Sequence, residues 1–275
     1  MYWRWVAIPF VIIVLVLLYF AWEVDAEKYS VYIIPVVILL AVLIVLSPQI
    51  DWLMAKRDPP ELDPQIRRLL HQVSPYYTQL PADQKKRLRE RIGLFKMAFD
   101  FKPQAMERVP EDVKAVIAFY GAQLTLAFDK FLLKPFETVI IYKGPFPSPQ
   151  FPEHWHICEV FREDGVLLFS ADHLLKGFFQ PLQYYPTGLH VMAEAFILKY
   201  PDKGFPEPGE TIWEDIRQMT GVDRERLTKY IGLPEIPPLP VCITYFFTLP
   251  ARFKAVRPDL YESFSNIFQQ DPAHA

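Results

Sequence analysis

The sequence of 275 residues has only two cysteines, Cys158 and Cys242, and only ten glycines. Two cysteines exclude a disulfide framework and a four-cysteine zinc site. No glycine-rich phosphate loop and no Gly-x-Ser-x-Gly motif are present, which argues against a P-loop nucleotide-binding protein and an α/β-hydrolase. An excess of positive charge is also lacking, since the formal net charge is −3. A nucleic-acid-binding protein with a broad basic surface is therefore disfavoured.

Hydrophobic residues make up 51% of the sequence, and they are concentrated near its beginning. Residues 5–22 and 29–50 each contain no charged residue. A helix of roughly 20 residues crosses a hydrocarbon core, and only a helix or a closed barrel satisfies its backbone in lipid. Tryptophans at positions 3, 5, 22 and 52 lie near ends of these runs, which is typical of membrane interfaces. We therefore predict that residues 1–57 form a transmembrane hairpin with spans at about 5–22 and 29–50.

Basic residues are more frequent outside this hairpin than in its loop. Arg4 precedes the first span, and Lys56 and Arg57 follow the second, whereas the loop has one basic residue, Lys28, among three acidic ones. Loops that carry more lysine and arginine tend to stay in the cytoplasm. We therefore expect a multi-pass membrane protein whose two termini and soluble domain face the cytoplasm.

Residues 58–275 form the second predicted domain, which begins with the proline-rich linker DPPELDP. Apolar periodicity and capping residues predict helices more often than strands, which indicates an α+β fold, mostly helical, with a small mixed or antiparallel sheet, the antiparallel form being favoured. The predicted helices begin at Asp63 and Ser170 and cover residues 83–99, 113–128, 187–200, 212–220, 223–231, 240–248 and 258–269. The predicted strands cover residues 138–142, 155–162 and 165–169, the last two forming a hairpin.

The strongest candidate for chemistry is the helical segment GLHVMAEAF, residues 188–196. His190 and Glu194 are four residues apart and share one helix face, so an imidazole and a carboxylate could supply two metal ligands. In a zincin helix, His-Glu-x-x-His, the glutamate after the first histidine is the general base. Val191 occupies that position here and cannot accept a proton. Catalytic zinc takes three protein ligands, so a structural polar pair is the favoured interpretation.

A second candidate cluster precedes the predicted hairpin turn. His154, His156 and Cys158 alternate along the predicted strand, so their side chains would share one face and could bind zinc or copper. The alternative is a strand with incidental histidines next to a buried cysteine. That alternative is favoured because no fourth ligand has a recognisable spacing.

Several segments of the second domain follow one another in the order seen in a known family. They are VIIYK at 139–143, GVLLFS at 165–170, YFFTLPARF at 245–253 and RPDLYESF at 257–264. Residues 62–272 resemble the zinc-dependent peptidases typified by the Mlc titration factor, a glucose-regulation peptidase of bacteria. The resemblance implies a zincin-like fold and a bacterial protein. Together with the two predicted spans, this leads us to expect a location in the bacterial inner membrane.

The resemblance also places the family's zinc helix, Gly-Leu-His-Glu-x-Ala-His-Ala, on residues 188–195. His190 then matches the first zinc ligand, Val191 replaces the general base and Glu194 replaces the second histidine. The family's remaining ligand, a glutamate, falls on Pro237, with Glu235 two residues away.

A second glutamate that is usual in the family falls on Thr244. The general base and two of the metal ligands, at Val191, Glu194 and Pro237, therefore differ from the family pattern, while segments typical of the core are retained. We predict a membrane-anchored, catalytically inactive zinc-peptidase-like protein that serves as a binding or accessory subunit of a membrane-protein complex. Its predicted partners are the lipid bilayer and a membrane protein, but no nucleic acid, and it needs no cofactor. The alternative is a membrane-bound zinc-dependent peptidase with a rearranged site of His190, Glu194 and, as a third ligand, Glu235.

Overall fold

The computed structural model describes residues 3–273, except for the side chain of Ser30. The chain divides into two compact units, Met1–Pro60 and Glu61–Ala275. The division lies within the proline-rich linker, where two consecutive prolines restrict the backbone and disfavour a helix.

Within residues 3–60, the first unit consists of the helices α1 (Trp3–Glu23), α2 (Ala26–Val45) and α3 (Ser47–Arg57). By length and composition, α1 and α2 could each cross a membrane, and hardly any of their described side chains is buried. The two helices pack against each other, and the Asp25 carboxylate caps α2 by accepting a hydrogen bond from Lys28 N at 3.2 Å.

The expected end of the second apolar helix at Ile50 is wrong, because α2 ends at Val45 and a separate helix follows. Pro48 lies in the first turn of α3. Proline lacks an N–H group and its ring clashes with the carbonyl of the preceding turn, so it fits best in the first turn of a helix. Pro9 and Pro35 nevertheless lie inside α1 and α2. The Trp3 backbone N–H donates to Asp51 Oδ1 at 3.0 Å, which ties the start of α1 to α3.

The second unit is mostly helical, as predicted. Its helices are α4 (Pro64–Val73), α5 (Pro75–Gln79), α6 (Ala82–Ala98), α7 (Glu111–Leu124), α8 (Ala171–Phe179), α9 (Thr187–Lys199), α10 (Ile212–Thr220), α11 (Arg224–Ile231), α12 (Pro238–Thr248), α13 (Pro250–Val256) and α14 (Pro258–Phe268). The helix start at Asp63 is confirmed, since Asp63 Oδ1 accepts a hydrogen bond from Gln65 N at 2.7 Å. Ser170 does precede α8, but its hydroxyl pairs with His173 Nδ1 at 2.8 Å and does not cap the helix.

A mixed sheet of four strands completes the α+β fold. The strands are β1 (Asp100–Gln104), β2 (Thr138–Tyr142), β3 (Cys158–Phe161) and β4 (Val166–Ser170), in the order β1-β2-β4-β3. The predicted hairpin of β3 and β4 is antiparallel, but β2 pairs in parallel with both β1 and β4. The mixed form of the predicted sheet is therefore confirmed, and the favoured, mostly antiparallel form is wrong. The chain returns from β1 to β2 through α7, as a parallel pair requires, and it reaches β4 only after a long loop and β3.

Helix α7 ends four residues before its predicted end at Phe128. The buried guanidinium of Arg91, on α6, donates to the backbone carbonyls of Thr125 and Phe128. A cation is favourable at a helix C-terminus, where carbonyls have no partner within the helix. The contact between α6 and the end of α7 thus fixes the turn that follows.

Helix α9 lies at the centre of the second unit. It packs against α7, α8, α12 and β3, and its first seven residues are all buried. The approach of α9 to its neighbours is close at Gly188, where a Cβ atom would lie 2.5 Å from Leu174 Cδ1 and 2.6 Å from the Tyr120 ring. The candidate segment of residues 188–196 is therefore in the core of the domain.

Candidate functional site

His190 lies within the second turn of α9 and is only 3% exposed. A hydrogen bond of 2.9 Å joins its Nδ1 atom to the hydroxyl of Tyr185, which lies in the loop before α9. The two rings are in edge-to-face contact at 5.5 Å between centroids. Burial lowers the pKa of His190 to about 4, so the imidazole is neutral at physiological pH.

Val191 follows His190 and is 1% exposed. Its side chain has no proton acceptor, and its burial places it in the apolar core. The position that would hold a general base in a zincin helix therefore contributes to packing and has no group that activates water.

Glu194 lies one helical turn after His190, but its carboxylate is already paired. Oε1 of Glu194 accepts a hydrogen bond from Arg162 Nη2 at 2.9 Å, and the Glu194 side chain is 15% exposed. Burial raises the pKa of Glu194, and the Arg162 guanidinium acts in the opposite direction. The same carboxylate adds to the effect of burial in raising the pKa of the Cys158 thiol. The Glu194 carboxylate is thus paired with a cation, Arg162, whereas a metal ligand would need its oxygen atoms free for the metal.

The third candidate ligand, Glu235, lies before α12 on the surface. Its side chain is 80% exposed, and its Oε1 lies 3.6 Å from Arg224 Nη2. Pro237 is the residue that precedes α12, and Thr244 is buried within that helix, where its hydroxyl donates to the Pro240 carbonyl at 2.8 Å. Neither of the latter two positions offers a carboxylate.

These residues do not form the ligand set of a catalytic zinc site. Such a site takes three protein ligands and an open position for water. Within residues 3–273, no group of three or more histidine, cysteine, aspartate or glutamate side chains is arranged to hold a metal ion. The donors present on α9 are one imidazole, bonded through Nδ1 to Tyr185, and one carboxylate bonded to Arg162. This set of donors does not fit the zinc ion that a zincin helix binds.

The second candidate cluster is also not brought together as expected. The strand begins at Cys158, so the prediction that His154, His156 and Cys158 share a strand face is wrong. His154 is exposed, whereas His156 is fully buried. Nδ1 of His156 lies 2.9 Å from the His154 carbonyl oxygen and Nε2 lies 2.8 Å from Glu159 Oε2. Both ring nitrogens of His156 thus have protein partners.

Tyr185 and Arg162 were not identified from the sequence, although they are the partners of the two candidate ligands. Arg162 is 32 residues away from Glu194 along the chain, and Tyr185 lies in a loop with no periodic pattern. The one sequence signal that could have identified Tyr185 is its position directly before Pro186 and the start of the predicted helix. These partners result from the packing of β3 and of the loop before α9 against α9.

Residues 50–193 match the profile of a protein family described as glucose-regulated metallo-peptidase M90. The match includes His190 and Val191 and ends one residue before Glu194. No curated protein matches the chain.

Proposed function

This chain belongs to the family of glucose-regulated metallopeptidases M90, which are in general zinc-dependent, and we propose that it is a membrane-anchored and catalytically inactive member. In this proposal the peptidase-like domain serves as a binding module, and the chain is an accessory subunit of a membrane-protein complex. The domain keeps the family's core while its chemical groups have been replaced.

The observation that carries this proposal is the state of three positions on α9. His190 is bonded to Tyr185, Val191 is buried and apolar, and Glu194 is paired with Arg162. Hydrolysis by a metallopeptidase needs a metal-bound water and a positioned proton acceptor. Valine at the position of the base leaves the site without a proton acceptor. The ion pair of Glu194 with Arg162 opposes binding of the metal that would hold the water.

The proposed membrane anchor consists of α1 and α2, which are long and apolar enough to span a bilayer. Their exposed apolar side chains would be unfavourable in water and favourable in lipid. The distribution of Arg4, Lys56 and Arg57 supports an orientation with the peptidase-like domain in the cytoplasm. The proposed location is the inner membrane of a bacterium.

The proposed role as a subunit follows from the combination of anchor and inactive domain. A peptidase fold needs no membrane anchor for hydrolysis. Anchoring does confine a binding domain to the membrane and raises its effective concentration toward partners that lie in the same membrane.

Two measurements on the full chain in mild detergent test the absence of catalysis. Metal analysis should find no stoichiometric zinc, and casein should not be cleaved in a zinc-dependent manner. Stoichiometric zinc that is lost in His190→Ala and kept in the control His154→Ala, together with cleavage, would instead support a rearranged peptidase site of His190, Glu194 and Glu235. His154 is the matched control because it is an exposed histidine outside α9.

The role as a subunit has its own test. The chain, expressed from its own locus and extracted in native nanodiscs, should migrate as part of a larger assembly. A species with the mass of the 32.2 kDa chain alone would contradict this role and leave the anchor without a known partner.

A further inference from the structure

Two clefts share the short segment Pro181–Gln183, which belongs to the loop between α8 and α9. One cleft has a volume of about 530 Å³ and the other of about 520 Å³, and residues 181, 182 and 183 line both. Each volume is within the range of about 300–1,000 Å³ that is typical of ligand sites. Neither cleft includes His190 or Glu194 among its lining residues.

The first, which we name the cationic cleft, is lined by Arg226 and Lys229 of α11 and by Arg252 of α13. Four tyrosines also line it, including Tyr185, the partner of His190. None of the described residues that line this cleft is an aspartate or glutamate. Three positive charges in one recess of a chain with a net charge of −3 concentrate a positive potential there.

The charged groups of these three side chains are available to a ligand. The side chains of Arg226 and Lys229 are exposed, and neither residue belongs to a salt bridge within the described part of the chain. Arg252 donates from Nη1 to the Met219 carbonyl at 3.3 Å, which leaves other N–H groups of its guanidinium for a ligand. Guanidinium groups bind carboxylates with two parallel hydrogen bonds.

The second, which we name the uncharged cleft, has a different chemistry. Six aromatic side chains from α5, α7, α8 and α12 line it, and none of its described lining residues is charged. Two large apolar side chains at its edge are exposed: Phe179 at 42% and Leu182 at 76%. An exposed apolar residue beside an aromatic cleft is typical of a site that receives an apolar group.

We propose that the two clefts together bind an extended peptide segment of a partner protein, with acidic residues in the cationic cleft and a large apolar side chain in the uncharged cleft. This inference rests on the proposed function as a binding module and names the chemistry of its partner. A peptide carries both groups at the spacing of a few residues, across the Pro181–Gln183 segment. Nucleic acid and lipid headgroups match the charge of one cleft, but neither needs the uncharged aromatic cleft beside it.

The test uses a library of random dodecapeptides displayed on phage and selected on the full chain in detergent. Selected peptides should contain aspartate or glutamate near phenylalanine, leucine or tryptophan. A synthetic copy of the most enriched peptide, measured by fluorescence anisotropy, should bind at least tenfold more weakly to Arg226→Glu/Lys229→Glu, and also to Leu182→Ser. Replacement of the peptide's acidic residues by their amides should weaken binding to the wild type by a similar factor.

The matched control is Arg108→Glu/Lys130→Glu, which makes the same charge change at exposed residues outside both clefts and should leave the affinity within twofold. If the glutamate variant unfolds at a lower temperature than the control, Arg226→Gln/Lys229→Gln replaces it. Enriched peptides without acidic residues, or equal losses in the cleft and control variants, would overturn the proposal. So would binding of phosphatidylglycerol vesicles or of single-stranded DNA that depends on Arg226 and Lys229 when no peptide is selected.

The outcome of the peptide-binding test can be distinguished from the outcome of the test for catalytic inactivity. Peptides that bind and are cleaved would overturn the inactive assignment and keep the site. A chain that neither cleaves casein nor selects acidic peptides would keep the inactive assignment and overturn the site.

Discussion

Arg162 Nη2 lies 2.9 Å from Glu194 Oε1, so the residue that follows β3 forms an ion pair with the third turn of α9. This contact joins the sheet to the central helix. It also neutralises the carboxylate that stands where a zincin helix has its second histidine. Glu194 thus has a structural role in this chain.

The Arg162–Glu194 pair gives the first prediction. Arg162→Ala should lower the free energy of unfolding by about 1–2 kcal/mol, because it leaves a mostly buried carboxylate without its cation. Glu194→Gln should have a smaller effect, since an amide has no charge to compensate. Thermal unfolding at pH 7 and pH 4.5 measures both. The deficit of Arg162→Ala should shrink at pH 4.5, because burial raises the pKa of Glu194 and the carboxyl takes up a proton. A deficit that grows toward low pH would contradict this explanation.

The second prediction concerns the pH dependence that His190 causes. Its pKa is about 4 in the folded chain and about 6.5 when unfolded. As the pH falls, the unfolded chain is protonated first, so the contribution of His190 to stability is complete above pH 6.5 and is lost between about pH 6.5 and 4. The loss should reach about 3 kcal/mol. His190→Gln removes this titration, so its melting temperature should fall less than that of the wild type from pH 7 to 4.5. Parallel decreases would exclude a buried neutral imidazole at this position.

The third prediction concerns the missing base. Val191→Glu should not produce zinc-dependent cleavage of casein, because the other ligand positions also differ. The change should lower the free energy of unfolding by at least about 3 kcal/mol, since it places a carboxylate in the apolar core. Val191→Ala, which only removes methyl groups, should cost about 1–2 kcal/mol. Cleavage by the folded Val191→Glu variant would show that a metal site does assemble on α9.

The fourth prediction concerns the close packing at Gly188. Alanine favours a helix over glycine by about 1 kcal/mol, but its Cβ atom would lie within 2.6 Å of the Leu174 and Tyr120 side chains. Overpacking costs about 1–3 kcal/mol, so Gly188→Ala should be destabilising in thermal unfolding. Gly144→Ala is the control, because no atom lies within 4 Å of a Cβ at that position. Equal or higher stability of Gly188→Ala would mean that the neighbours of α9 can move apart without cost.

The fifth prediction concerns topology. A fluorescent reporter fused after Ala275 should be active in the cytoplasm, and an alkaline phosphatase inserted at Ala26 should be active on the opposite side of the membrane. The reason is the excess of basic residues outside the apolar hairpin. Exported phosphatase activity after Ala275 would reverse the orientation and leave the two apolar helices unaffected.

The elements that the sequence predicts well are those fixed by local chemistry. Asp63 starts α4 because its carboxylate accepts the backbone N–H of Gln65, and Asp223 starts α11 by accepting the backbone N–H of Arg226. Strand β1 was missed because its residues, DFKPQ, are polar and mostly exposed. It is an edge strand that exists because β2 offers a free parallel edge, and only an edge tolerates Pro103.

The candidate site also has a part that the sequence predicts and a part that depends on tertiary packing. Helical spacing is sufficient to put His190 and Glu194 on one face of α9. Their partners, Tyr185 and Arg162, follow from how the loop before α9 and the end of β3 pack against that helix. The cationic cleft was missed for the same reason, because α11 and α13 supply its charges and only the tertiary structure brings them together.

The two cysteines, both buried in the second unit, have a practical consequence. Burial raises the pKa of Cys242 to about 12 and also raises that of Cys158, and the thiolate is the form that reacts with alkylating reagents. The folded protein should therefore resist maleimides at neutral pH without any cysteine being replaced. A single cysteine introduced at the exposed position of Leu182 would then accept a fluorophore or spin label selectively, on a segment shared by the two clefts.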